Sequence, residues 1–251
     1  MNTSIPWWRW LLTLVSGLLL WNLGKMLSGL AAVIVAGNEA AIFGSFWPVI
    51  LLSIVQAAVI VFGIRYVWRI VNGDWTSIGF DFQNWKQDSL YGASVGLALA
   101  LLQYFVILPL TGGAQRSDVI ASAEMTGATP YGLIAAIIMG WLAGALSEEI
   151  FYRGHLIRSL QKIMGGGRWA LMASSMVSIA IFAYGHIYLG GWSGALNAGM
   201  VALVYTLLFL WRKRLTAGIV AHGVYNTLAF LGIYFFSYVK EKKHFINLWV
   251  F

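Results

Sequence analysis

Glu148 and Glu149 stand side by side, with Arg153 four residues on, at the end of an apolar or small stretch that begins at Tyr131. One charged side chain at the centre of a membrane helix costs about 2.5–3.5 kcal/mol on insertion scales. Three so close together persist only where they face an internal cavity and partner one another, and such a cluster marks a functional site. On a 3.6-residue helix Glu149 and Arg153 share a face and form a charge-assisted pair, while Glu148 is turned about 100° away. The spacing therefore predicts Glu148 as the chemical group, facing a cavity, with Glu149 and Arg153 as its structural support. An ion-pair network that only fixes helix packing is the competing reading of the same three residues.

Two further polar pairs follow at the same helical spacing. Phe182 and His186 share one face near the end of a span, and His222 and Asn226 share another. The second pair offers an imidazole and a carboxamide together, groups suited to proton transfer or to stabilising an oxyanion. His155 and His244 fall outside these patterns and are read as interfacial. The absence of cysteine excludes thiol catalysis, disulfides and thiolate metal sites.

The elements that must hold these residues follow from composition. The chain is 60% hydrophobic and 10% charged, where soluble domains carry about 25% charged residues. It reads as an all-α, polytopic membrane bundle of about seven spans (six to eight) around a polar intramembrane cavity. With about 20 apolar residues needed per crossing, the spans are predicted at 12–35, 43–66, 90–110, 132–153, 169–187, 194–211 and 217–238. The connections 71–89 and 111–130 are loop-sized, so residues 1–251 form one domain. The Trp-rich start is read as the flank of a retained first span rather than a removed signal peptide. Lys25, near the middle of that span, is expected to snorkel or to face the bundle; a break there would change the topology. Trp7, Trp8, Trp10, Trp68, Trp75, Trp85, Trp169, Trp211 and Trp249 are expected in interfacial belts.

The net charge of +7 sits in short clusters between apolar runs, a topology signal rather than a nucleic-acid groove. With the N-terminus inside, the inner connections hold Arg9, Arg65, Arg69, Lys86, Arg158, Lys162, Arg168, Arg212, Lys213 and Arg214. The outer side keeps Arg116 and the tail residues Lys240, Lys242 and Lys243. The expected protein is a multi-pass resident of a bacterial-type cell membrane, N-terminus cytoplasmic, with membrane lipid as a partner and no nucleic acid. Straight antiparallel spans put Glu148 and His222 in the inner half of the bilayer, so the cavity is expected to open inward. His186 then needs strong helix tilt, or a fifth span that starts along the surface, to reach them.

In this order and on separate spans, the three patterns resemble the motifs of the CPBP family, the CAAX proteases and bacteriocin-processing enzymes also called the Abi family. The resemblance covers residues 131–231. It implies an intramembrane endopeptidase in which Glu148 is the general base, His186 helps to position and activate water, and His222 and Asn226 stabilise the oxyanion. Phe182, like Glu149 and Arg153, would support the site. The chemistry is consistent, because a carboxylate taken out of water is a stronger base and donors in a dry cavity stabilise developing charge better than water does. Metal dependence stays open. Glu148, His186 and His222 would be the ligands of a zinc ion with an open water position, but the chain has no His-Glu-x-x-His, and the metal-free glutamate–water mechanism is preferred. The substrate implied is a peptide or protein near the membrane surface.

Three other readings compete. A non-enzymatic scaffold or bacteriocin-immunity protein could share the fold, though it has no need of a buried acid. Gly191-Trp192-Ser193-Gly194 resembles the Gly-x-Ser-Gly of rhomboid serine proteases, with His222 as base, but leaves the acidic pair unexplained. A transporter would need a continuous polar path, and the first three spans offer only Asn22, Lys25, Gln56 and Gln103.

Overall fold

The computed structural model describes residues 5–127 and 129–247, with Leu189 and residues 236–247 described by backbone alone. Every regular element among them is helical. The helices are α1 (Trp7–Ala36), α2 (Phe46–Val71), α3 (Trp85–Leu110), α4 (Ser117–Thr126), α5 (Pro130–Ile163), α6 (Gly167–Gly185), α7 (Ile187–Arg212) and α8 (Thr216–Asn247). Six of the described segments are long and apolar enough to cross a membrane: α1, α2, α3, α5, the part of α7 from Gly190, and α8 as far as Phe235. Helix α6, the fifth expected span, has 19 residues but is not among the six. It turns Ser174, Ser175 and Ser178 inward, hydroxyls that lower its mean hydropathy.

Local signals explain the ends that matter for the site. Thr129 caps α5, its hydroxyl accepting from the Gly132 amide at 3.0 Å, and Pro130 fills the first helical position. The charged triplet does not close α5 as the span 132–153 implied. The helix runs on to Ile163, because Arg153 is neutralised inside the bundle rather than at its edge. The stretch 111–130, read as a loop, contains α4. That helix ends at Gly127, whose left-handed φ of 55° is open to glycine, and a Cβ there would lie 2.7 Å from the Gly44 Cα. Helix α1 is continuous through Lys25, so the break does not occur.

Close helix approach is bought with small residues, as membrane bundles require. Helix α3 lies along α8 with Gly92 and Gly96 at the contact; a Cβ on either would come within 2.5 Å of the Ala217 or Ala221 carbonyl. Tyr104 fixes the far end of that pair by donating to the Leu228 and Ala229 carbonyls at 3.1 and 2.8 Å. At the near end Asp88, fully buried, accepts from Arg212 Nε and Arg214 Nε, both at 2.6 Å. This ties the start of α3 to the turn between α7 and α8.

Two expectations about the aromatic and histidine residues change. Trp7, Trp8, Trp85, Trp169 and Trp211 are exposed, as belts require, but Trp68 is buried. It donates from Nε1 to His155 Nδ1 at 3.0 Å. His155 is therefore a core residue and not an interfacial one: it is fully buried, stacks near Phe151, and fits only because position 17 is glycine. A histidine with a hydrogen-bond partner can be buried where sequence position alone suggests an interface. His244, Trp249 and the basic tail residues lie outside the described side chains.

The Asp88 clamp generates a test. Asp88→Ala should lower stability by about 2–3 kcal/mol, less than the about 3–5 kcal/mol of a fully dry pair because both guanidinium groups keep some solvent contact. Thermal unfolding in detergent, followed by tryptophan fluorescence, would read it; an unchanged midpoint would deny the clamp its role.

Candidate active site

The site is built on α5, α6 and α8. Around it α5 is wound in wider π-helical turns over Gly140–Leu146 and Glu149–Ile157, a winding often found at functional sites. Glycines let α8 approach this surface. Cβ atoms at Gly140 and Gly144 would both lie 3.0 Å from the Asn226 side chain, and one at Gly218 would lie 2.9 Å from Glu149 Oε2. His222 and Asn226 are thereby pressed against the α5 face that carries the acids.

Glu149 and Arg153 form the dry centre. Both are essentially inaccessible, and Arg153 Nη1 donates to Glu149 Oε1 at 2.9 Å. Arg153 Nη2 donates to the Ala202 carbonyl of α7 at 3.0 Å. The guanidinium also lies over the rings of Phe182 and Tyr205, at 5.0 and 5.6 Å, where each ring face attracts a cation. Phe182 of the second motif is thus a packing partner of the arginine, buried and in edge contact with Tyr152.

The Glu149 carboxylate has a second partner that spacing alone did not reveal. His222 Nδ1 stands 3.2 Å from Glu149 Oε1, and its ring stacks on Tyr205 at 4.8 Å. To bond a carboxylate that nitrogen must carry the hydrogen, so Nε2 is the nitrogen left free. It lies 3.9 Å from Glu148 Oε2. One imidazole is therefore flanked by both glutamates, one at each nitrogen.

Glu148, His186, His222 and Asn226 all line one cavity of about 390 Å³, whereas Glu149 and Arg153 do not line it. His186 ends α6. Its ring stacks on Phe182 at 4.6 Å, and Nδ1 bonds the Phe182 carbonyl at 2.8 Å. This one-turn link from Phe182 resolves the difficulty of depth, because Phe182 is level with Tyr152 and Arg153 and carries His186 to the cavity. Asn226 donates one amide hydrogen to the Gly140 carbonyl at 3.1 Å and keeps a second for another acceptor. Lys25 lines the cavity as well, its ammonium 4.9 Å over the Trp21 ring. Ser193 does not line it and instead approaches Ser117 at 3.5 Å, so the serine of the Gly-x-Ser-Gly segment is not brought to His222.

The cavity does not extend as expected. Its walls run from Glu148 and His222 toward Phe43, Asp118, Ser122 and Gly190, at the end of the bundle opposite Trp7. None of its lining residues belongs to the connections at the Trp7 end.

As for metal, no group of three His, Asp or Glu side chains among the described residues is arranged to hold an ion. In both rings Nδ1 is engaged by a protein oxygen and Nε2 is the nitrogen left for the cavity, the arrangement that also orients histidine ligands in metal sites.

Fold and site together define a helical membrane protein with an acid, two imidazoles and a carboxamide around one cavity, the equipment of a hydrolase. Residues 130–228 match the family model described as type II CAAX prenyl endopeptidase Rce1-like. Over that segment the chain is similar to the CAAX-type proteases, which are peptide-bond hydrolases. No curated protein and no solved structure matches the chain.

The two glutamates should separate in a stability measurement. Glu149→Gln removes the carboxylate that pairs with a buried arginine and should cost about 3–5 kcal/mol. Glu148→Gln, on the cavity wall, should leave the unfolding midpoint within about 0.5 kcal/mol of the wild type, the usual range away from such features. Equal losses in the two variants would contradict this division.

Proposed function

We propose that the chain is an intramembrane endopeptidase in which Glu148 is the general base for a water held in the cavity, and His186 helps to orient that water. His222 Nε2 and the second Asn226 amide hydrogen stabilise the oxyanion. The observation that carries this reading is the convergence of Glu148, His186, His222 and Asn226 on one cavity.

The reaction balances without a further reagent. Glu148 takes a proton from water, the hydroxide oxygen forms a bond to the peptide carbonyl carbon, and the carbonyl oxygen becomes an oxyanion. As the carbon–nitrogen bond breaks, the proton passes to the leaving amine, giving a carboxylate and an amine. Glu149 acts through His222. By holding the hydrogen on Nδ1 it directs Nε2 to the cavity, where a charged ring donates to the oxyanion and a neutral one accepts a proton. Arg153 holds Glu149 in place through their hydrogen bond. This mechanism routes no step through a metal, and its substrate is a peptide or protein segment held close to the membrane.

Glu148→Gln should reduce turnover of a membrane-associated peptide by about 10²–10⁴, the contribution of a general base. Asn226→Ala should reduce kcat by about 10²–10³, the usual loss for one oxyanion donor, with KM nearly unchanged because that donor acts in the transition state. Activity should survive exhaustive chelation of the detergent-purified enzyme. Zinc-dependent recovery after stripping would refute the metal-free mechanism, and wild-type rates in Glu148→Gln would refute the base. A binding-only scaffold would give no cleavage in any variant.

A further inference from the structure

The charge on the connections and the extent of the cavity point to opposite ends of the bundle. The end formed by Trp7 and residues 72–84, 164–166 and 213–215 carries Arg9, Arg69, Lys162, Arg168 and the run Arg212, Lys213, Arg214. At the other end, formed by residues 37–45, α4, residues 186–194 and the last turns of α8, stand Arg116, Lys240, Lys242 and Lys243, four against the seven of the Trp7 end. Arg116 is paired with Asp118 at 2.6 Å. Short connections rich in Lys and Arg stay on the cytoplasmic side. The Trp7 end is then cytoplasmic, and the cavity, walled by Phe43, Asp118, Ser122 and Gly190, reaches toward the other face.

The floor of the cavity is closed from the cytoplasmic side. From Glu148 to the end of α5 at Ile163 there are about 22 Å of helix at about 1.5 Å per residue. That depth is packed with Ile150, Phe151, Leu156, Ile157 and Leu215, each no more than 2% exposed. A polypeptide in the cytoplasm has no path to Glu148 through this core without unpacking it.

We propose that the cavity is loaded from the non-cytoplasmic face. Its substrate is a membrane-tethered polypeptide segment lying on that face, so a translocation reaction must precede this one and supply it. The inference rests on the protease reading for the word substrate, but the side of loading rests on the extent of the cavity and the charge on the connections.

The chain has no cysteine, so single cysteines report cleanly. Val119→Cys and Ser122→Cys place a thiol on the cavity wall, and Lys162→Cys places one at the basic end. In sealed spheroplasts a membrane-impermeant maleimide should label positions 119 and 122 and miss 162, and permeabilisation should expose 162. Label at 162 in sealed spheroplasts, or no label there at both 119 and 122, would overturn the proposal. Using two wall positions guards against one variant that fails to fold. Labelling reads access without turnover, so it stands or falls apart from the protease reading. If cleavage is found, a tethered fluorogenic peptide should be cut faster in right-side-out than in inverted vesicles. The reverse preference would also overturn the proposal.

Discussion

A carboxylate in a membrane interior needs donors, and Glu149 finds two of them at one oxygen while its Oε2 is buried with no hydrogen-bond partner among the described residues. Arg153 and His222 both bond its Oε1, and Arg153 is held in turn by the Ala202 carbonyl and two aromatic faces. Three helices are thereby fixed to one another by one carboxylate: α5 supplies the pair, α7 the carbonyl and Tyr205, and α8 the histidine. Charge in a low-dielectric interior is costly unless the geometry is good, and that cost makes the geometry specific. Sliding α8 by one turn would leave Glu149 one donor short.

This constraint explains the distribution of glycine near the site. The bonds to Glu149 and Gly140 are side-chain lengths, so α8 must lie almost against α5, and Gly140, Gly144 and Gly218 remove the atoms that would hold the helices apart. A lysine or leucine face would pack as well against lipid but could not bring His222 within 3.2 Å of the acid. Packing and chemistry share the same small positions.

Much of this was legible in the sequence, and the failures have physical causes. Glu149 and Arg153 could be paired from their spacing because an i,i+4 interaction is local. The cavity-lining set could be named because each motif lies on one helix face. The bond from His222 to Glu149 spans 73 residues, and spacing within a helix carries no information about it. His155 was misread for a similar reason, since its partners Trp68 and Gly17 come from two other helices. Helix α4 was hidden because its ten residues lack the apolar length of a span. The direction of the cavity was misjudged from helix depth alone. Glu148 sits near the middle of α5, and which end of the bundle opens depends on α4 and the α6–α7 turn, which the sequence does not set against it.

The two neighbouring glutamates illustrate how one local step in a helix creates two environments. Adjacent residues point in different directions in α-helical and π-helical winding alike, so Glu149 turns into the interhelical core while Glu148 turns to the cavity wall. Their side chains are 0% and 18% exposed. The imidazole of His222 lies between them, with one nitrogen toward each acid. Nδ1 is bound by the acid that cannot leave its arginine, and Nε2 looks toward the acid that has no such partner. The partly exposed side of this arrangement faces the cavity while the arginine-bound side stays buried. Replacing the pair with two equivalent carboxylates on one face would lose that asymmetry, because both would then compete for the same arginine and neither would be left to the cavity.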